Sequence, residues 1–336
     1  MKSVYIYYPE PNEIAIGEEE VSAPGPGEVL CRAEKSLIST GTETFCLRGE
    51  SDPGTNWAAW VKFPFRPGYS MVGRVVEVGE GVAEFKVGDR VFAWQTHQQC
   101  YKLKPEQAQV IPEDITAEEA AWLAIALITQ VGVRRAQLEM GETVGVVGLG
   151  ILGQLVVQYL HLIGARRIMA IDPYQTSVDA AKTHGATHAL NLAVDEALPA
   201  IREITDGKML DVVFDVTGHA EVFADCMPLL RSQGRLLLLG DSPMPSRQRL
   251  GPGVVSEALT IIGSHASTIP DHPSAFAPWG RNEIGELFLD YLRQKRMNVV
   301  DLITHRYNPL EAPKVYADLE RDRSQTLGVI FDWELL

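Results

Sequence analysis

The apolar positions of this chain change their spacing twice. In the first third they form short runs, at 4–8, 29–33 and 73–78, set between Gly- and Pro-rich turns such as APGPGE at 23–28 and VGEGV at 78–82. VGDRV at 87–91 reads as a further turn leading into a strand. Runs of this length bounded by turn residues predict a β-rich segment. From Thr116 the period changes. Thr116 and Glu119 have capping-box spacing and open the Ala-rich stretch TAEEAAWLAIALITQVGVRRA, which reads as one helix. Strands at 143–147, 167–171, 211–216, 235–239 and 259–262 then alternate with helical stretches, among them 154–163 closed by Gly164 and a run to His184 closed by Gly185. Apolar strands alternating with helices predict a doubly wound parallel sheet buried on both faces. Past residue 268 a Pro-rich loop, STIPDHPSAFAPWG, leads to helices at 283–296 and 310–320 and a last strand, LGVIFDW. The expected protein is α/β: a β-rich domain at 1–125, completed by 268–336, and a doubly wound domain at 126–267.

The strongest chemical signal is VGVVGLGILGQLVVQYL at 144–160. Gly148, Gly150 and Gly153 form G-x-G-x-x-G between a strand and a helix. Gly148 permits the tight turn, Gly150 lets backbone approach a pyrophosphate, and Gly153 lets the helix pack on the sheet. The helix N-terminus then offers N–H groups to the phosphates. The next strand, RIMAID, ends in Asp172, where a carboxylate can bind ribose hydroxyls and repel a 2′-phosphate. Pro173 and Tyr174 supply no replacing cation. NAD(H) is therefore expected over NADP(H), the competing role for Asp172 being a helix cap.

Composition narrows the class. In 336 residues, 30 Lys and Arg against 44 Asp and Glu leave a net charge of −14, which disfavours nucleic acid and anionic membranes as partners. Four scattered cysteines without a C-x-x-C suit reduced thiols. The first twenty residues hold no apolar run of signal-peptide length, and no later stretch approaches a membrane span, so a cytoplasmic protein acting on a small molecule is expected.

The whole pattern resembles the medium-chain dehydrogenase/reductase superfamily, the group of zinc alcohol dehydrogenases and quinone reductases. The matching pieces are PGPGEVL at 24–30, VGRVVEVGEGV at 72–82, VGDRV at 87–91, AQLEMGETVGVVGLGILG at 136–153, HGATHALN at 184–191, DVVFDVTG at 211–218, GRLLLLG at 234–240 and LITHRYNPLEAPKVY at 302–316. The resemblance implies a GroES-like catalytic domain and a Rossmann domain. It adds Ile151, Leu152, Thr217, Gly240, Ser264 and His265 to the dinucleotide-binding residues. It also implies a homodimer or homotetramer, with 259–262 pairing across a dimer axis.

The departures bear on chemistry. Thr40 stands where zinc-dependent relatives have Cys, Tyr69 and Ser70 replace the His and Glu of G-H-E, and Ala124 matches the third ligand. Neutral Thr, Tyr and Ala cannot form a tetrahedral N/S site, so no zinc is expected. ISTGTE at 38–43 with PGYSMVG at 67–73 resembles a zinc-lacking branch that includes a bacteriochlorophyllide hydroxyethyl dehydrogenase. Zinc would contribute several kcal/mol by polarising the substrate oxygen; hydrogen-bond donors must offset its loss. Thr42 matches the hydroxyl that relays the alcohol proton, Tyr69 would point a phenol at the same pocket, and Thr40 adds a hydroxyl. Tyr69 could instead be a packed pocket wall, and Thr40 a small core residue. His97, in a loop that runs beside the substrate in relatives, and His265 are further candidates for proton exchange. Glu43 reads as structural. The aromatic stretch at 49–66, with Trp57 and Trp60, could be a stacking lid over a sugar or flat ring, or a small cluster anchoring a loop. The expected activity is metal-independent, NAD-dependent oxidation of an alcohol, polyol or sugar-like substrate. The alternatives are an enone or quinone reductase and a nucleotide-binding protein without turnover.

Overall fold

A computed structural model of the chain describes residues 1–275 and 277–336; Phe276, in the expected Pro-rich loop, lies outside the described residues. The elements begin with β1 (Lys2–Tyr7), β2 (Ala15–Glu20), β3 (Val29–Ile38), α1 (Thr40–Arg48), α2 (Asn56–Trp60), β4 (Met71–Val78), β5 (Arg90–Ala93), β6 (Cys100–Leu103), β7 (Ala108–Val110), α3 (Ala117–Ala120) and α4 (Leu123–Arg135). They continue with β8 (Thr143–Val147), α5 (Ile151–Ile163), β9 (Arg167–Ile171), α6 (Gln175–Thr183), β10 (His188–Leu190), α7 (Leu198–Ile204), β11 (Leu210–Asp215), α8 (Ala220–Cys226), β12 (Leu230–Leu238) and β13 (Thr260–Gly263). Last come α9 (Arg281–Arg293), β14 (Ile303–Tyr307), α10 (Ala312–Arg321) and β15 (Gly328–Asp332).

Contacts divide the chain into two units. The first comprises Met1–Glu50, Ala59–Ala124 and Gly285–Leu336; the second comprises Ser51–Ala58 and Ile125–Ile284. The sequence places the return at 268, whereas the second unit runs on to Ile284 and takes in 51–58 as well. Asp52 supplies the reason for the latter. Its carboxylate accepts the amide and hydroxyl of Ser246 at 2.7 and 2.9 Å, and its amide donates to the Pro243 carbonyl at 2.9 Å.

In the second unit six strands form one parallel sheet in the order β10-β9-β8-β11-β12-β13. This is the expected doubly wound arrangement, with its switch at β8, whose neighbours lead the chain to opposite edges. The strands β8 and β9 fall where apolar runs predict them. Helix α5 stops at Gly164, whose φ of 89° is a left-handed conformation that glycine adopts without Cβ strain. Val147, Ile171, Val213 and Leu236 from the sheet pack with Ile201 and Phe223 in one buried cluster.

The first unit holds a seven-stranded sheet in the order β14-β15-β3-β4-β5-β7, with β6 also pairing β3. It is antiparallel except for β14 beside β15. Its axis is β3, which runs to Ile38 although its apolar pattern ends at residue 33. Glu34 and Lys35, both buried, carry the strand through the core as paired charges. Glu34 accepts from Arg74 Nε at 2.5 Å and Arg90 Nε at 2.7 Å, and Lys35 donates to Asp332 and, at 2.7 Å, to Glu334. Such pairing is what makes buried charge tolerable.

The helix predicted from Thr116 is broken. Its capping box forms, with Thr116 Oγ1 accepting the Glu119 amide at 3.2 Å and Glu119 accepting the Thr116 amide at 2.9 Å. Helix α3 nevertheless ends at Ala120, and α4 starts afresh at Leu123. Ser70 Oγ donates to the Ala121 carbonyl at 2.5 Å, taking an acceptor that a continuous helix would use for itself. All four cysteines are free and buried. Among the described residues, no helix is long and apolar enough to cross a membrane.

Candidate functional site

In the second unit, the register Val147↔Ile171 and Val147↔Asp215 leaves three strand ends side by side. The Gly148 amide donates to the Ile171 carbonyl and the Val216 amide to the Val147 carbonyl, each at 3.0 Å. The three glycines of the turn differ in what surrounds them. Gly148 has φ of 90°, and a Cβ there would lie 2.7 Å from Thr217 Cγ2. A Cβ on Gly153 would lie 2.0 Å from the Gly148 carbonyl oxygen, so the helix packs too closely for any side chain. A Cβ on Gly150, the N-cap of α5, would meet no atom within 4 Å. That open space faces the first helical turn, where Ile151 and Leu152 amides have no intrahelical acceptor and sit at the positive end of the helix dipole.

Asp172 follows β9 and is 7% exposed. Its Oδ2 accepts the Leu149 amide at 2.7 Å and its Oδ1 the Tyr174 amide at 2.8 Å. Burial raises its carboxyl pKa, and these two bonds pull it down. The carboxylate thus braces the glycine turn and the N-cap of α6 together, while each oxygen keeps a further lone pair for a ligand. Nearby, Thr217 donates its hydroxyl to Asp215 at 2.7 Å, and a Cβ on Gly240 would lie 2.3 Å from the Gly218 nitrogen. Ser264 donates its amide to Leu238 at 3.0 Å, and its buried hydroxyl has no hydrogen-bond partner among the described residues. His265 is exposed, with Nδ1 2.8 Å from Ser267 Oγ.

The two tryptophans expected to form one lid belong to different units. Trp57 is only 8% exposed and lies beside Asp241 in the second unit, where burial pushes the Asp241 carboxyl up and His265 and Trp57 hold it down. Trp60, 43% exposed, packs edge-on against Phe65 at 5.4 Å in the first unit.

In the first unit β3 runs straight into α1 through Ser39, the helix N-cap. Thr40 and Thr42 are half-buried on the opening turn. The Ser39 hydroxyl does not cap the helix; it accepts the Tyr69 hydroxyl at 2.6 Å. Burial pushes the Tyr69 phenol up to about 12, against the lowering effect of hydrogen bonds to Ser39 and Thr42, and the Glu43 charge adds to the rise. Trp94, which the sequence reading missed, stacks on Tyr69 at 5.9 Å with an interplanar angle of 19°. An aromatic beside a strand end carries no periodic signal of such a role.

Glu43 takes over the capping. It is 1% exposed, accepts the Ser39 amide through Oε1 at 2.7 Å, and through Oε2 accepts the Tyr316 hydroxyl and meets His97 Nε2 at 3.0 Å. A carboxylate at a helix N-terminus is also favoured by the dipole. His97 departs from its expected place beside the substrate. It is 0% exposed, and its Nδ1 lies 2.8 Å from Ser36 Oγ, so both ring nitrogens are held inside the protein. Ser36, Tyr316 and Trp333, which complete this buried group, had no legible signal in the sequence because each lies far from His97 along the chain.

Thr40, Tyr69 and Ala124 offer a hydroxyl, a protonated phenol and a methyl group at the three positions that resemble zinc-ligand positions. Among the described residues no group of three or more His, Cys, Asp and Glu side chains comes together.

Comparison with known proteins agrees with both units. Residues 25–124 match the alcohol dehydrogenase GroES-like domain, and residues 152–279 match the family described as zinc-binding dehydrogenase. The chain is 26% identical over 352 residues to D-guloside 3-dehydrogenase of Escherichia coli strain K12, spanning 96% of this chain and 98% of that protein. It is 26% identical over 349 residues to the NADP-dependent isopropanol dehydrogenase of Thermoanaerobacter brockii, spanning 92% and 94%. In fold it is similar to the crystal structure of 2R,3R-butanediol dehydrogenase from Bacillus subtilis, with a TM-score of 0.80, 19% identity, and 98% and 99% of the two chains covered. The glycine turn on a 3-2-1-4-5-6 sheet, the β-rich first unit and these matches lead to one assignment: the chain belongs to the medium-chain dehydrogenase/reductase superfamily.

Proposed function

We propose that this protein is an NAD(H)-dependent oxidoreductase that interconverts a polar secondary alcohol, polyol or sugar-like substrate and its carbonyl form without a metal ion. The observation that carries the reading is Tyr69: a half-buried phenol, hydrogen-bonded to Ser39 and stacked on Trp94, standing where zinc-dependent relatives place a histidine. When bound, the dinucleotide supplies a nicotinamide ring that accepts or gives up a hydride.

The residues of the second unit fit such a ligand. Gly150 leaves open space at a helix N-terminus, where the amides of Ile151 and Leu152 suit a pyrophosphate. Asp172 suits unmodified ribose hydroxyls and opposes a 2′-phosphate, which supports NAD(H) over NADP(H). Thr217, Gly240, Ser264 and His265 lie at or beyond the ends of β11, β12 and β13, the end of such a sheet at which ligands bind. The orphaned Ser264 hydroxyl is suited to a polar group of the ligand.

A zinc ion does not fit the first unit's donor set. Thr40 and Tyr69 would have to bind as neutral oxygens, and Ala124 has no donor. The chemistry therefore falls to hydroxyl groups. With its phenol up at about 12, Tyr69 is protonated at neutral pH; its O–H points to Ser39 Oγ, so its oxygen is placed to accept from a substrate alcohol, and in the reduction direction it returns a proton to the carbonyl oxygen. In the oxidation direction the Tyr69 oxygen takes up the alcohol proton, and the phenol proton it displaces leaves through the Ser39 and Thr42 hydroxyls to solvent water, each hydroxyl giving up one proton as it gains one. The stacked Tyr69 and Trp94 rings beside threonine hydroxyls suit a substrate with both C–H faces and hydroxyls. The names of the relatives, a guloside dehydrogenase and a butanediol dehydrogenase among them, support the same class.

The test is a screen with NAD and a panel of alcohols, polyols and glycosides in the presence of a chelator, beside NADH and NADPH with enones and quinones. Reduction of NAD by a polyol or glycoside is expected. Turnover confined to NADPH and enones would overturn the reading, and NADH binding with no turnover of any substrate would favour a non-catalytic protein.

A further inference from the structure

Behind Tyr69 the buried polar groups form a line with a self-consistent set of proton positions. Trp333 Nε1 donates to Ser36 Oγ at 2.8 Å, Ser36 Oγ lies 2.8 Å from His97 Nδ1, and His97 Nε2 lies 3.0 Å from Glu43 Oε2. Ser36 and His97 are 0% exposed and Glu43 is 1% exposed. An indole N–H can only donate, so Ser36 accepts from Trp333 and has its own proton to place. Nδ1 is an acceptor within reach. A carboxylate can only accept, so His97 presents N–H at Nε2. With the Ser36 proton placed on that bond, His97 carries its own proton on Nε2 and every group in the line is satisfied. The set has the composition of a Ser–His–acid nucleophile, but Ser36 has no access to any substrate and its oxygen is already engaged.

The same imidazole also touches the backbone that carries Tyr69. Its amide donates to Pro67 at 2.9 Å, and a Cβ on Gly68 would lie 2.8 Å from the ring. Gly68 has φ of 95°, so both its conformation and its closeness to His97 require glycine.

We propose that His97 is a positioning residue for the Tyr69 hydroxyl, working as a neutral Nε2–H imidazole. It holds Glu43, Glu43 holds the Ser39 amide at the start of α1, and Ser39 Oγ receives the phenol. On the other side it packs against Gly68 and fixes the turn from which Tyr69 projects. The inference rests on the reading of Tyr69 as the proton donor, and a misplacement of that hydroxyl by about 1 Å is expected to cost on the order of 10²-fold in rate.

Two substitutions separate the arms of the ring. In His97→Gln the amide nitrogen can take the place of Nε2 and donate to Glu43; in His97→Asn the shorter amide reaches Ser36 and leaves Glu43 without its donor. Expected are a kcat within about threefold of wild type for Gln, a loss of about 10- to 100-fold for Asn, and a KM within about twofold for both. Ser36→Ala is a third variant that keeps the Glu43 contact and frees Nδ1. Two readouts need no turnover. Nitrogen-15 NMR of the histidines in the wild-type protein is expected to report a neutral Nε2–H tautomer for His97, assigned by its absence in the Gln variant. The Tyr69 ionisation, followed by ultraviolet difference spectra, is expected to move in the Asn variant and stay near 12 in the Gln variant. An imidazolium or an Nδ1–H tautomer would overturn the proposal, as would equal Tyr69 titrations in folded Asn and Gln variants. If those readouts hold while no alcohol is oxidised, the positioning role stands and the assigned reaction fails. Should the Asn variant not fold, the tautomer decides: an imidazolium or an Nδ1–H form of His97 rejects the role, and a neutral Nε2–H form with a Tyr69 titration that stays near 12 in Ser36→Ala, which keeps the Glu43 contact, supports it.

Discussion

The Tyr69 hydroxyl donates to Ser39 Oγ at 2.6 Å, joining a glycine turn to the N-cap of α1 across thirty residues of sequence. Burial sets the state of the phenol, and this bond works against it. The phenol is neutral through the whole physiological range, since burial holds its ionisation up at about 12. The group is therefore a donor or a relay at neutral pH and not a standing base. The sign for stability follows. The folded value lies above the ordinary value near 10, so the fold favours the protonated form. That contribution is fully present below pH 10 and is lost as pH rises towards 12.

Tyr69→Phe removes the donor while keeping the ring stacked on Trp94. A loss on the order of 10²-fold in kcat is expected, with NADH affinity unchanged by fluorescence titration. An ultraviolet titration should lose one phenol ionising near 12. A variant as active as wild type would exclude Tyr69 from the proton path.

The glycines offer a contrast between space and strain. Gly150→Ala adds a methyl that meets no protein atom within 4 Å, so its melting temperature should match wild type while NADH binding is lost. Gly153→Ala forces a methyl to 2.0 Å from the Gly148 carbonyl and should lower both stability and binding. If Gly150→Ala bound NADH normally, the open space beside it would not be the pyrophosphate site.

Asp172→Ser removes the negative charge and at least one of the two amide bonds it accepts. The ratio of kcat/KM for NAD over NADP should fall by tenfold or more, equivalent to about 1.4 kcal/mol. Stability should drop by about 1–3 kcal/mol in urea unfolding, the cost of leaving buried donors unmet. An unchanged ratio would reduce Asp172 to a brace for the turn.

Untagged protein should contain no stoichiometric zinc by elemental analysis, and its rate should survive prolonged dialysis against a chelator. Zinc at one equivalent per chain, with activity lost on its removal, would contradict the reading of Thr40, Tyr69 and Ala124.

Much of the second unit was legible because its signals are local. Strand β8, the glycine turn, α5 and its Gly164 stop lie in one stretch of some twenty residues, and each residue type is needed for a backbone reason at its own position. The same holds for β9 and Asp172. The capping box at Thr116 and Glu119 was also readable, but the length of the helix behind it was not. Its break depends on Ser70, a residue some fifty positions earlier, taking the Ala121 carbonyl.

By itself the sequence determined the two kinds of domain, the glycine turn with the carboxylate that follows it, and the presence of Thr40, Tyr69 and Ala124 at positions that resemble metal-ligand positions. Tertiary structure decided what surrounds those residues. It carried β3 through the core on Glu34 and Lys35, whose charges read as a strand end until Arg74, Arg90, Asp332 and Glu334 are seen beside them. It also buried His97 between Ser36 and Glu43 and turned the Ser39 hydroxyl from a helix cap into the acceptor for Tyr69. Periodicity reports which face of an element is apolar. It does not report which distant polar group satisfies a buried one, and in this protein that pairing is what defines the candidate site.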